Sequence, residues 1–163
     1  MWTISGKCLR VSADRRHAAF AGASGEQEMG RLKSLYSKEF NIMTNKDLVL
    51  KFYEEVFNGW DLSHVRDYVR EDYIQHNPTV ENGAEGLLKF LAGFTSMKPH
   101  IEIIKVLENE DHVGIFFKCT MGNGMVNKVM DIYRLEGGKL AEHWDILEHD
   151  VGAVQSVNGN SLF

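Results

Sequence analysis

Asp131, His143 and Asp145 have the residue types and spacing for acid–base chemistry. They fall in two neighbouring runs rich in β-branched and aromatic residues, "VNKVMDIYRLE" and "KLAEHWDILEH". Removing a proton alpha to a carbonyl requires a base, and the enolate oxygen that forms requires a donor. An aspartate at its ordinary pKa is a weak base near neutral pH, and burial in an apolar cavity raises that pKa toward the working range. A carboxylate–imidazole–carboxylate set can hold one proton where it is needed. Asp145 is therefore assigned as general base or acid, and Asp131 and His143 as the groups that orient or tune it. The competing reading is an exposed hairpin ion pair between Asp131 and a nearby Lys or Arg.

Strand alternation decides which side chains can meet. His143, Asp145 and Leu147 share one face of their run, while Glu142, Trp144 and Ile146 share the other. On the preceding run Asp131, Tyr133 and Leu135 share a face. A plain two-residue loop at Gly137-Gly138 would set Asp131 opposite Trp144. A turn with a bulge at Gly138 would shift the pairing by one, setting Asp131 opposite His143 and beside Asp145. The bulge is expected, because Gly138 takes a positive φ easily.

A second group of candidates would bind substrate. His76 lies in the extended stretch "DYIQHNP", where Pro78 keeps Asn77 out of helix. From there His76 and Asn77 either line the mouth of a pocket or satisfy backbone groups around the turn. Tyr73 fits either side of this stretch. Phe52, Tyr53, Phe94 and Phe117 are core formers, some of which must line any cavity and suit flat ligands. No metal site is expected, because no Cys/His cluster is present. Gly122 and Gly124 lack the strand–turn–helix setting of a phosphate loop.

The elements that hold these residues can be read from periodicity. In "TNKDLVLKFYEEVFNGWD", Leu48, Phe52 and Val56 recur every four residues, and Val49, Tyr53 and Phe57 do so alongside. Thr44 with Asp47 makes a capping-box-like start, and Asn58-Gly59 an end. A short helix over about residues 62–68 follows the Asp61 cap, and a third runs over about 84–95. After Pro99 come "HIEIIKVLEN", "HVGIFFKCTM" and the two runs above, joined by short turns that favour antiparallel hairpins. Helices first and a meander afterwards is an α+β pattern. In the closing segment, Leu162 and Phe163 either tuck against the sheet or mediate self-association.

Composition narrows the function classes. The 163 residues are 44% hydrophobic and 25% charged, as expected for a packed domain. Residues 1–42 carry a net charge of +3 and the remainder −8. An acidic domain repels a phosphate backbone, so no nucleic-acid partner is expected. No apolar run reaches the roughly 18–20 residues of a membrane span, so no membrane partner is expected. Two cysteines, Cys8 in the unpatterned leader and Cys119 in a strand, do not suggest a disulfide, which favours a reducing, cytoplasmic setting. Residues 1–42 read as a disordered or loosely ordered extension, and residues 44–163 as the folded domain.

Three motifs in this order, "YIQHNP" at Tyr73–Pro78, "DIYRLEGGKLAEHWD" at Asp131–Asp145 and "NGNSLF" at Asn158–Phe163, resemble the SnoaL-like polyketide cyclases of the nuclear transport factor 2-like superfamily. The resemblance implies a cone-shaped, curved antiparallel sheet of about four main strands around a deep cavity, covered by three N-terminal helices. It also implies a homodimer and an intramolecular aldol closure on a small, apolar, carbonyl-containing molecule without metal or cofactor. The acid/base aspartate near the end of the last long strand matches Asp145. Many relatives carry histidines in the strand matching "HVGIFFKCTM", where this chain has Phe116 and Lys118. The alternative is a non-catalytic ligand-binding or dimerisation module of the same fold.

Overall fold

The computed structural model describes residues 25, 27–32 and 43–163. The chain divides into two units, Met1–Asn41 and Ile42–Phe163. Residues 25 and 27–32 of the first are helical; the rest of the extension expected over 1–42 lies outside the described residues.

In the second unit, Asn45–Phe52 form α1. Thr44 closes its start as a full capping box: its side chain accepts from Asp47 N, and Asp47 accepts back from Thr44 N. From Tyr53 to Asn58 the helix widens into π turns. The widening counters a drift in the apolar rows. On an α-helix of 3.6 residues per turn, a row spaced by four drifts about 40° per step. The two apolar rows would wind off the core, and the wider turns keep Val56 and Phe57 buried with Phe52 and Tyr53. Gly59 ends the π stretch, where a Cβ would lie 2.4 Å from Glu55 O. Asn58 then pins the helix end to the sheet, exchanging two hydrogen bonds with the Ile101 backbone at 3.0 and 2.8 Å.

A 3₁₀ turn at Leu62–His64, capped by Asp61, leads into the short α2, Val65–Tyr68. Strand β1, Val69–Gln75, follows, and then α3, Gly83–Ser96. The meander is β2, His100–Asn109; β3, His112–Thr120; β4, Val126–Glu136; and β5, Lys139–Glu148. The sheet thus has five strands, in the order β1-β5-β4-β3-β2, with β1 parallel to β5 and the other pairs antiparallel. The expectation of about four strands missed β1, whose short run between helices carries charges at Arg70, Glu71 and Asp72.

The meander buries one face. On β4 every second residue from Asn127 to Leu135 is buried, and on β3 Val113, Ile115, Phe117 and Cys119 are. Against this inner face pack Phe52, Tyr53 and Phe57 of the first helix, with Tyr53 and Phe57 stacked at 4.8 Å. Behind Glu148 a 3₁₀ turn at Val151–Ala153 buries Val151, and the chain returns to stack Phe163 on Phe116 at 6.2 Å. Of the two roles expected for the terminal residues, Phe163 takes the tucked one. Among the described residues, no helix is long and apolar enough to cross a membrane.

Candidate active site

The β4–β5 hairpin sets the geometry of the site. Gly137 and Gly138 both take positive φ, 61° and 74°, and form a plain two-residue turn with Glu136 paired to Lys139. Such a turn matches the twist of the flanking strands. Continued regularly, it would set Asp131 opposite Trp144. The extra residue is Ala141, where the pairing passes from Leu135↔Leu140 to Arg134↔Glu142. The bulge therefore sits in the strand, not at Gly138. Leu140 and Ala141 are both buried, which gives the extra residue apolar cover. The result is a shift opposite to the expected one: Asp131 pairs with Asp145, and His143 with Tyr133.

The inner face holds a closed polar network. Asp131 and His143 are 6% and 7% exposed, so neither is solvated in compensation for burial. The Tyr53 hydroxyl, carried in by the first π turn, donates to Asp131 Oδ2, and the Tyr133 hydroxyl approaches the same oxygen at 3.3 Å. The two hydroxyls are 3.1 Å apart. The ring of Tyr133 stacks on that of His143 at 4.6 Å. His143 Nε2 stands 3.5 Å from Asp131 Oδ2. It is the one buried side-chain polar atom, among the described residues, without a hydrogen-bond partner. Its other nitrogen, Nδ1, lies 2.8 Å from Gln75 Oε1. Asp131 is thus an inward group held by phenols rather than one half of an exposed ion pair with Lys or Arg.

Asp145 is half-buried at the rim of this network. Asn77 Nδ2 donates to its Oδ2 at 2.6 Å, and Asn77 N donates to Gln75 Oε1 at 3.0 Å. The end of β1 and the residues after it therefore grip both reactive-type residues of β5, and His76 N adds a 3.0 Å bond to His143 O.

Burial, reinforced by the neighbouring Asp131 carboxylate, pushes the pKa of Tyr53 and Tyr133 well above the ordinary phenol value. Tyr73 is raised the same way by burial, with Asp131 and Asp145 adding to it. All three hydroxyls stay protonated, so those of Tyr53 and Tyr133 can donate to Asp131. Burial and Asp131 also push the Cys119 thiol up to about 11, which removes it as a thiolate nucleophile.

His76 departs from its expected place. It faces the opposite side of the sheet, stacked on Trp144 at 4.7 Å, with Nε2 2.8 Å from Glu142 Oε1. Alternation explains it: Glu142 and Trp144 point away from the face that carries His143 and Asp145. The hydrogen bond from His76, then that from Arg134, holds the Glu142 carboxyl below its usual range. Of the other expected substrate contacts, Asn77 meets Asp145, and Tyr73, Phe52, Tyr53 and Phe117 are buried in the core. Phe94 packs edge-on against Phe57 at 5.9 Å. Phe116 and Lys118 meet Phe163 on the outer face, so the inner positions of β3 are Ile115, opposite Asp131, and Phe117.

Two participants have only weak signals in the sequence: Tyr133 shares a face with Asp131, and Gln75 is an extra hydrogen-bond former beside His76. A cleft of about 290 Å³ is lined by Met97, Met121, Asn123 and Met125. None of the expected site residues borders it. Among the described residues, no group of three or more His, Cys, Asp or Glu is arranged to hold a metal ion.

The five-stranded sheet with helices packed on its inner face has a nuclear transport factor 2-like fold. Residues 49–143 match the model of the SnoaL-like domain, and the chain belongs to that family. Similar solved structures include TsrD from Streptomyces laurentii, 19% identical with a TM-score of 0.57, covering 64% of this chain and 88% of that one. IdmH from Streptomyces antibioticus, a candidate polyketide cyclase, is 18% identical with a TM-score of 0.58 and coverages of 64% and 92%. AclR from Streptomyces galilaeus, a candidate hydroxylase, is 22% identical with a TM-score of 0.55 and coverages of 63% and 77%. These likenesses establish the fold. No curated protein matches the chain.

Proposed function

We propose that the protein is an acid–base enzyme of the cyclase or isomerase type, acting on a small, largely apolar carbonyl compound without a cofactor. The carrying observation is that Asp145 and Asp131 are cross-strand partners on the inner face, one half-open and the other sealed. Environments that differ this much give two carboxylates different roles. Asp145, oriented by Asn77, is the group that takes a proton from the carbon alpha to the carbonyl and returns it later. Asp131, with His143 and the phenols of Tyr53 and Tyr133, forms the rigid polar floor that orients the reacting groups. Polyketide cyclase activity, ascribed to several fold neighbours, is the aldol form of this chemistry. Homodimer formation belongs to the same reading, supported by the exposed Ile146 on β5 and Leu107 on β2.

Asp145→Asn tests the assignment. Turnover of a confirmed carbonyl substrate should fall on the order of 10²–10⁴-fold, the usual share of general acid–base catalysis, while fold and ligand affinity persist. Unchanged turnover would remove Asp145 from the chemistry. The closure of Asp131 under two tyrosines also suits a second reading, a non-catalytic binding module. A compound that binds wild type tightly, with Asp145 at its site, but is never turned over would favour that reading.

A further inference from the structure

The hydrogen bonds around Gln75 determine where His143 carries its proton. The backbone N–H of Asn77 can only donate, so the atom it meets on Gln75, 3.0 Å away, is the amide oxygen. That same oxygen lies 2.8 Å from His143 Nδ1. A carbonyl oxygen cannot donate, so Nδ1 must bear the hydrogen. In the neutral ring Nε2 then has a bare lone pair, and this is the buried atom left without a partner. It faces Asp131 Oδ2 at 3.5 Å, an oxygen already engaged by the hydroxyls of Tyr53 and Tyr133. A buried polar atom of this kind calls for an explanation, because leaving it unpaired forfeits the hydration it gave up without a partner in return.

The geometry points to Gln75 as a positioning residue: it locks His143 as the Nδ1–H tautomer, keeping Nε2 open as a proton-accepting site beside Asp131. The catalytic consequence rests on the acid–base reading above; the tautomer does not. When the substrate's alpha C–H bond breaks, its electrons pass to the carbonyl oxygen and the proton to Asp145, the half-open carboxylate, with Nε2 behind it as a second resting place for a proton. A proton on Nε2 makes an imidazolium whose charge is met by Asp131, and the same proton is returned at the end of the cycle. One short segment thus prepares both groups of β5, Gln75 holding His143 and Asn77 holding Asp145.

The test is ¹⁵N–¹H correlation of the full chain, with the His143 ring assigned by comparison with His143→Gln. In wild type at a pH where the ring is neutral, His143 should give a protonated Nδ1 and a pyridine-like Nε2. Gln75→Met, which keeps length but has no oxygen acceptor, should shift His143 toward a mixture of tautomers. Gln75→Glu, which keeps an acceptor, should restore the wild-type pattern. On a confirmed substrate, Gln75→Met should lose on the order of 10²-fold in turnover, with recovery in Gln75→Glu. A neutral wild-type ring protonated on Nε2, or a Gln75→Met spectrum identical to wild type, overturns the inference. If Gln75→Met does not fold, the wild-type spectrum alone decides. A wild-type protein with the stated tautomer but no turnover of any carbonyl compound overturns the acid–base reading instead.

Discussion

At the scale of the residue, the decisive feature is a carboxyl group taken out of water and supplied with donors from another element. Asp131 is buried, and the phenol that reaches it comes from the first helix, 78 positions earlier in the chain. The contact links the helix to the sheet through a polar bond in an otherwise aromatic interior, where Tyr53 also meets Phe117 and Tyr133 edge-on at 5.4 and 6.2 Å. Tyr53→Phe keeps the ring and these contacts and removes only the hydroxyl. Asp131 is then left with the longer approach from Tyr133. The cost should be about 1–3 kcal/mol, the usual penalty for leaving a buried group short of a partner. Urea unfolding would register it as a lowered midpoint with the slope unchanged. A midpoint equal to that of wild type would mean that the hydroxyl contributes nothing net.

At the scale of the element, what could be read from the sequence and what could not divide along a physical line. The helix starting at Thr44, the cap at Asp61 and the limits of β2 and β4 follow from periodicity and turn chemistry that are local to each segment. Strand β1 was missed because its pairing with β5 is not local, and its exposed charges hide the alternation. The shared face of Asp131, His143 and Asp145 was anticipated, but through a different device. A glycine-based bulge is visible in sequence, whereas one centred on Ala141 is marked only by two adjacent apolar residues, Leu140 and Ala141. His76 was misplaced for a related reason, since the facing of a residue beyond a strand end depends on the neighbour it stacks on, here Trp144. The π turns are the other hidden device, and they give a prediction. Gly59→Ala would place a methyl group 2.4 Å from Glu55 O, in backbone that cannot move aside cheaply. Relief requires unwinding the last π turn and loosening the bond of Asn58 to Ile101. Overpacking of this kind costs about 1–3 kcal/mol. Hydrogen exchange should show the added opening in residues 53–59 and at Ile101 before it shows in β4. Unaltered protection there would show that the π turn tolerates the methyl and does not depend on glycine.

At the scale of the whole molecule, the inner face works as a lock whose state depends on pH at the alkaline end. Tyr53, Tyr73 and Tyr133 come from the first helix, β1 and β4, and the pKa of each is raised by burial first and by the Asp131 charge next. Unfolded tyrosines titrate near pH 10, about their model value. Because the folded values are higher, the folded chain holds more protons than the unfolded chain over the window above that point, and stability falls as pH rises through it. Below pH of about 10 the contribution is fully present. The three hydroxyls share Asp131 as their charged neighbour, so ionising one phenol would place a second negative charge inside the same closed network. The ionisations should therefore not proceed one at a time in the native state. Raising the pH while following phenolate absorbance and far-ultraviolet circular dichroism together should show these tyrosines ionising in one cooperative step that coincides with loss of the sheet. Tyr53→Phe should move that step to lower pH, because it weakens the fold, and also reduce the phenolate amplitude released in it. Smooth ionisation of all three near pH 10 with the sheet intact would mean that water reaches the inner face freely. The sealed floor on which the roles of Asp131 and His143 depend would then not exist in solution.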